Sequence, residues 1–199
     1  MNKAKKGFTL IELLVVIAIL GVLATAVILV INPAELIRQA RDSTRISDLA
    51  NINRAISLYL TDVATPYLGG IGNACTNGAA VCTSGTTEYF SATTSCVTAA
   101  AASTTVNGSG WVTIDFADIS SGSPISRLPF DPNNGATTGE CADATSGACF
   151  YSYGCSGTNY ELNAIMESVK YSNGQAGDVE SKDGGNEPNV YEVGNKLDL

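Results

Sequence analysis

The chain has 199 residues, a formal charge of −8 and no histidine. The lack of histidine removes the commonest general base and the commonest metal ligand, and the acidic balance argues against a surface for phosphate backbones, so no direct nucleic-acid binding is expected. No phosphate-binding P-loop, GxGxxG or GxSxG stands in the sequence and no base lies beside a nucleophile, so the reading excludes catalytic residues and does not favour an enzyme.

In chain order, the first element is the stretch from Lys3 to Ile31. Lys3, Lys5, Lys6 and Gly7 precede an apolar run interrupted by one carboxylate, Glu12, and the nineteen residues from Leu13 to Ile31 carry no charge. As a helix they extend roughly 28 Å, close to the ~30 Å of a bilayer's hydrocarbon core. The basic flank predicts a cytoplasmic N-terminus and export of the rest. The run passes into Asn32-Pro33-Ala34-Glu35 without a small-residue cleavage site, unlike a secretory signal peptide. A plain anchor gives no reason for a glutamate one turn inside its start, where an ionisable group is costly without a partner.

The segment G-F-T-L-I-E, Gly7 to Glu12, after a short basic leader and before a long apolar helix, resembles the N-terminus of type IV prepilins and of type II secretion pseudopilins. The resemblance implies cleavage between Gly7 and Phe8 by a prepilin peptidase and N-methylation of Phe8. It also implies a homo-oligomeric filament in which the Phe8 amine of one subunit attracts Glu12 of another. An inner-membrane platform and an ATPase would assemble it. The protein would be a single-pass membrane protein first and part of an extracellular filament afterwards. Adhesion, motility and DNA uptake are the filament functions it allows. The alternatives are a pseudopilin and a membrane-tethered binding or adhesive domain on a plain signal anchor.

Asn32-Pro33 interrupts the helical pattern and Gly21 is a softer point. The pattern resumes and should stop near Asp62–Thr65, before Pro66. Ile46, Leu49, Asn53, Ile56 and Leu60 form a stripe, widened by Ile52, Tyr59 and Val63. Arg38, Asp42, Arg45 and Asp48 are spaced to meet on the other face, either solvated or turned to neighbouring subunits. One long bent helix is therefore expected, with leader 1–7, a membrane or filament-core half over 8–32 and an amphipathic half over 33–64.

The exported head follows over 65–199. It is strongly acidic, with fourteen acids against four bases from Val63 onward. Its six cysteines, Cys75, Cys82, Cys96, Cys141, Cys149 and Cys155, read as disulfides of an oxidising compartment. The locally favoured pairs are Cys75 with Cys82, and Cys141 with Cys149 or Cys155, among fifteen formal pairings. Residues 65–110 read as a variable loop, nearly low complexity over Ser91–Gly110, with one short element near Glu88-Tyr89-Phe90. Asn107-Gly108-Ser109 fits a glycosylation sequon but reads better as a turn.

Strands are expected at Trp111–Phe116, Phe150–Tyr153, Tyr160–Met166 and Asn189–Val193. Strands following a long helix, with no helices between them, indicate an α+β class. The pilin resemblance implies a small antiparallel sheet packed on the second half of the helix, and LPFDPNN (Leu128–Asn134) with YELNAIMES resembles pilin heads more loosely. No cofactor is required. One acidic cluster, Asp178, Glu180, Asp183 and Glu187, could bind Ca²⁺ through carboxylate oxygens; its alternative is a solvated turn around Gly184-Gly185.

Overall fold

The computed structural model describes residues 7–69, 80–84, 96–98, 103–136, 141 and 148–199. By packing the chain divides into two units, Met1–Ile37 and Arg38–Leu199.

In the first unit, helix α1 spans Leu10–Ile31. Every described residue from Gly7 to Ile28 is exposed, and from Leu13 onward this stretch carries no charged residue. Leu10–Ile28 is long and apolar enough to cross a membrane. Gly21 does not interrupt it, and the Thr25 hydroxyl donates to the Gly21 carbonyl at 2.5 Å, which satisfies that polar group within the helix. The break comes at Asn32, in the left-handed region at φ 45° and ψ 76°, a conformation asparagine tolerates better than most residues. Pro33 then opens helix α2, Pro33–Asp62, at the first position, where its missing N–H costs nothing. The Asn32 carbonyl accepts from the Glu35 and Leu36 amides. The expected single bent helix is thus two helices, divided by a stop and a restart.

In the second unit, α2 buries Asp42, Arg45, Leu49, Ile52, Ala55, Ile56 and Tyr59. This is a three- and four-residue spacing, rotated from the expected stripe, and Ile46, Asn53 and Leu60 lie at its flank, half-buried. The rotation matters because it carries Asp42 and Arg45 inside. The expectation that these charges sit on a solvated or intersubunit face is corrected.

The sheet has five strands in the order β2-β1-β3-β4-β5: β1 Ala80–Cys82, β2 Cys96–Thr98, β3 Tyr151–Ser156, β4 Asn159–Ala164 and β5 Tyr191–Gly194. The pairs β1–β3, β3–β4 and β4–β5 are antiparallel, and β1–β2 is parallel. The architecture is α+β, a long apolar helix followed by a second helix and a largely antiparallel sheet, consistent with the pilin fold. The three later strands match expectation within a few residues. β1 and β2 lie inside the stretch expected to be loop; three-residue strands are too short to show a period. The element expected at Glu88–Phe90 lies outside the described residues.

Trp111–Phe116 is not a strand. It forms one isolated bridge, Asn107 with Asp115, and a 3-10 turn at Phe116–Asp118 that the Asp115 side chain caps. Its backbone bonds go to nearby loops instead: Trp111 N–H donates to Ser103, and Phe116 N–H to Val106. Its apolar side chains are nonetheless core. Trp111, Val112, Ile114 and Phe116 pack with Leu49, Ile52, Ile56, Tyr59, Tyr151, Tyr153, Tyr160 and Leu162. Burial, more than strand propensity, is what this sequence encodes.

A second cluster holds Cys82, Cys141, Ala148, Cys149, Phe150, Ile165 and Val190. Cys141 and Cys149 are bonded, with Cα atoms 5.2 Å apart. Cys82 and Cys155 are also in disulfides. Cys75 and the Cys96 side chain lie outside the described residues.

Candidate functional site

Glu12 is not a bare charge at the start of α1. Thr9 is the N-cap, and Thr9 and Glu12 form a reciprocal capping box. The Glu12 carboxylate accepts from the Thr9 amide at 2.8 Å and from the Thr9 hydroxyl at 2.7 Å, while the Glu12 amide donates back to the hydroxyl at 3.3 Å. The T-x-x-E spacing was visible in the sequence. It gives Glu12 a local role that even a plain anchor would use, so its presence alone does not exclude one. Gly7 and Phe8 are exposed just before this cap, Phe8 at 87%.

The head contains a buried ion cluster. The Arg45 guanidinium, fully buried, forks onto Asp131 through Nε and Nη2 at 2.7 and 2.8 Å and donates through Nη1 to Asp42 at 2.6 Å. Glu167 stands 3.5 Å from it and pairs with Arg41. Asp42 also receives the Glu167 and Ser168 amides, both at 2.8 Å. One helix face thereby holds the LPFDPNN loop and the loop after β4. Burial works against the Arg45 charge, but the bonds from Asp131 and Asp42 hold its pKa above the ordinary value. Nearby, Tyr151 donates its hydroxyl to Asp48 at 2.9 Å. The sequence signal for this cluster was the phase: Arg45, Leu49, Ile52, Ile56 and Tyr59 recur at four and three residues.

The four calcium candidates each engage the chain itself. Asp178 accepts from the Gly174 and Ser181 amides and the Ser181 hydroxyl, and these bonds, the hydroxyl first, hold its pKa down at about 2. Glu180, buried, accepts from the Met166 and Asn173 amides, and burial pushes its pKa up to about 7. Asp183 accepts from the Gly185 and Glu192 amides. Glu187 is half-buried and gives its backbone amide to Glu192. Among the described residues no three His, Cys, Asp or Glu side chains converge as a metal site. Asn107, exposed, accepts from the Ser109 amide and hydroxyl in a local turn.

Residues 2–28 match the family model of the prokaryotic N-terminal methylation motif. The match supports a pilin-like or pseudopilin-like prepilin. The motif implies prepilin-peptidase processing and membrane anchoring before assembly into a filament, and proteins of this kind are structural subunits rather than enzymes. No curated protein and no solved structure is significantly similar to the chain.

The head should be pH-sensitive through Glu180. Its folded pKa lies above the unfolded carboxylate value, so the protonated group stabilises the fold fully below about 4.5, and that contribution is lost as pH rises through about 7. The thermal midpoint of the detergent-solubilised chain should fall by several degrees between pH 5 and pH 8. Glu180→Gln should flatten part of that slope; an unchanged slope in the variant refutes the assignment.

Proposed function

We propose that this prepilin is a structural subunit of a type IV pilus. The observation that carries the reading is the methylation motif over residues 2–28, set on a helix whose apolar surface is exposed on every side. Cleavage after Gly7 frees the Phe8 amine, which is then methylated. The α1 surface exchanges lipid for the helices of neighbouring subunits, where packing and interhelical bonds drive association. Glu12, released from its Thr9 cap or shared with it, meets the Phe8 amine of a neighbour. Such a pair gains Coulomb energy against a desolvation cost, so it sets register more than it adds stability.

The test is the intact mass of the protein from sheared surface filaments of its native host, with and without reductant. The expected mass is that of Phe8–Leu199 plus one methyl, less two hydrogens for each disulfide. A processed form confined to the membrane fraction favours the pseudopilin reading. An uncleaved Met1–Gly7 leader in the cell rejects both and leaves a domain on a plain anchor.

The pseudopilin reading draws on one further feature, the late acidic run with Asp178, Glu180, Asp183 and Glu187. Calcium binding there belongs to that reading. A thermal midpoint raised by millimolar Ca²⁺ and lowered by chelator would favour it over the pilus; no response would favour the pilus.

A further inference from the structure

The first side chain that α2 buries is Asp42, and every residue of α2 before it is exposed or half-buried. Asp42 therefore marks the edge of the head that lies nearest to α1 along the chain. The turn after β4 is clamped there. The Glu167 and Ser168 amides donate to Asp42, both at 2.8 Å, and Arg41 pairs with Glu167. Directly beyond the clamp come Val169 and Lys170, both exposed, and Tyr171, half-buried.

This turn is held along its whole length. The Gly177 amide donates to the Lys170 carbonyl at 3.2 Å and the Val179 amide to the Tyr171 carbonyl at 3.1 Å. The Ser172 hydroxyl donates to the Ser168 carbonyl at 2.7 Å, and the Asn173 amide to Glu180 at 3.0 Å. At Gly177 a Cβ would stand 3.2 Å from Lys170 Cγ, so the lysine stem lies close over this glycine. The Lys170 ammonium sits 4.8 Å from the centroid of the Tyr171 ring. Val169 remains 47% exposed on this fixed frame. The other large hydrophobic side chains exposed in this unit, among the described residues, are Leu58 and Tyr67, near and beyond the C-terminal end of α2. The acids of the clamp, Asp42 and Glu167, are buried and paired with Arg45 and Arg41. One turn earlier on α2 stands Arg38, half-buried, with Glu35 a further turn back.

An exposed valine beside a lysine and a tyrosine is the composition of a membrane–water interface, where apolar bodies face the acyl chains and polar tips stay in the headgroups. The tether to α1 is short. From Pro33 to Asp42 α2 rises about 14 Å, and Pro33 follows the last residue of α1 by two positions. That length limits how far the clamp can stand from the end of α1, whatever the angle at the joint. The headgroup layer itself adds about 5–7 Å to each side of the hydrocarbon core.

We propose that Val169, Lys170 and Tyr171 dock the head of the unassembled subunit on the phospholipid headgroup layer of the membrane that α1 enters. The inference rests on membrane anchoring through α1. Val169 enters the acyl boundary, the Tyr171 ring lies at headgroup level, and Lys170 meets lipid phosphate. The contact is reversible and is given up when α1 leaves the bilayer for a filament.

The test is tryptophan fluorescence of the full chain carrying Val169→Trp, reconstituted in vesicles of phosphatidylcholine and phosphatidylglycerol, with and without bromine on the acyl chains near the glycerol. Trp111, the one native tryptophan, lies in the core and supplies the baseline. Emission of the introduced tryptophan should fall at least twofold in the brominated vesicles, while that of Trp111 in the parent stays unchanged. Adding Lys170→Glu should relieve at least half of the loss. A chain that does not float with the vesicles overturns anchoring through α1, and the docking with it. A chain that floats but emits equally in both vesicles overturns the docking alone. So does a blue shift that grows with the protein-to-lipid ratio without quenching by bromine, since a second copy would then cover the patch. Tyr171→Trp reports from the neighbouring position, so the docking is decided even should one variant fail to fold.

Discussion

Replacing Arg45 by leucine should destabilise the head by about 3–5 kcal/mol, the typical cost of leaving a buried charge without its partner. Arg45 neutralises Asp131 and Asp42 at hydrogen-bond distance and stands against Glu167, all buried. Arg41, which is partly exposed, pairs with Glu167 but, among the described residues, makes no bond to Asp131 or Asp42 that could replace Arg45. Arg45→Lys should cost less, about 1–3 kcal/mol, because the ammonium keeps the charge but cannot fork onto Asp131. The double variant Arg45→Leu with Asp131→Leu should recover part of the loss, since removing both members of a buried pair is often close to neutral. Urea unfolding of the detergent-solubilised chain, followed by tryptophan fluorescence, measures all three. Trp111 lies in the core and tilts against Tyr151 at 5.8 Å. An Arg45→Leu midpoint close to that of the parent would show that the cluster does not support the fold.

Glu12→Val should leave a chain that inserts and is processed but assembles poorly, with filament yield down at least tenfold. Two roles for Glu12 are separable. As the acceptor in the capping box it steadies the first turn of α1, worth about 0.5–2 kcal/mol for a cap of this type. As a charge offered to a neighbouring subunit it sets register. Thr9→Ala removes the hydroxyl but leaves the Glu12 carboxylate and the Thr9-position amide. If register is the main role, Thr9→Ala should assemble at near-parental yield while Glu12→Val does not. Matching losses in the two variants would assign the defect to the cap. Filament mass per cell, measured after shearing, reads both.

What the sequence determined by itself is the N-terminal third. The apolar length of α1, the Thr9–Glu12 cap, the left-handed Asn32, Pro33 as the restart and the stop at Asp62 all depend on residues within about four positions of one another. Such interactions leave a period or a spacing that can be read directly. The later strands were legible for a similar reason: six residues suffice for alternation in Tyr151–Ser156 and Asn159–Ala164.

The tertiary structure decided where the charges went. Arg45 and Asp131 are 86 residues apart, and Arg45 and Glu167 are 122 apart. Read locally, Asp42 and Arg45 look like an exposed i,i+3 pair. Trp111–Phe116 shows the same limit, since its residues have strand propensity while its backbone bonds go to loops around Ser103 and Val106. Glu161 and Glu192 alternate as outward-facing residues should, yet both are buried, and they accept from the backbone amides of Leu199 and Glu187. A helix cap or a turn is settled by its own neighbours in the chain. Whether a charged side chain meets water or a counter-charge depends on which distant segment lies over it, and that is a property of the packed fold.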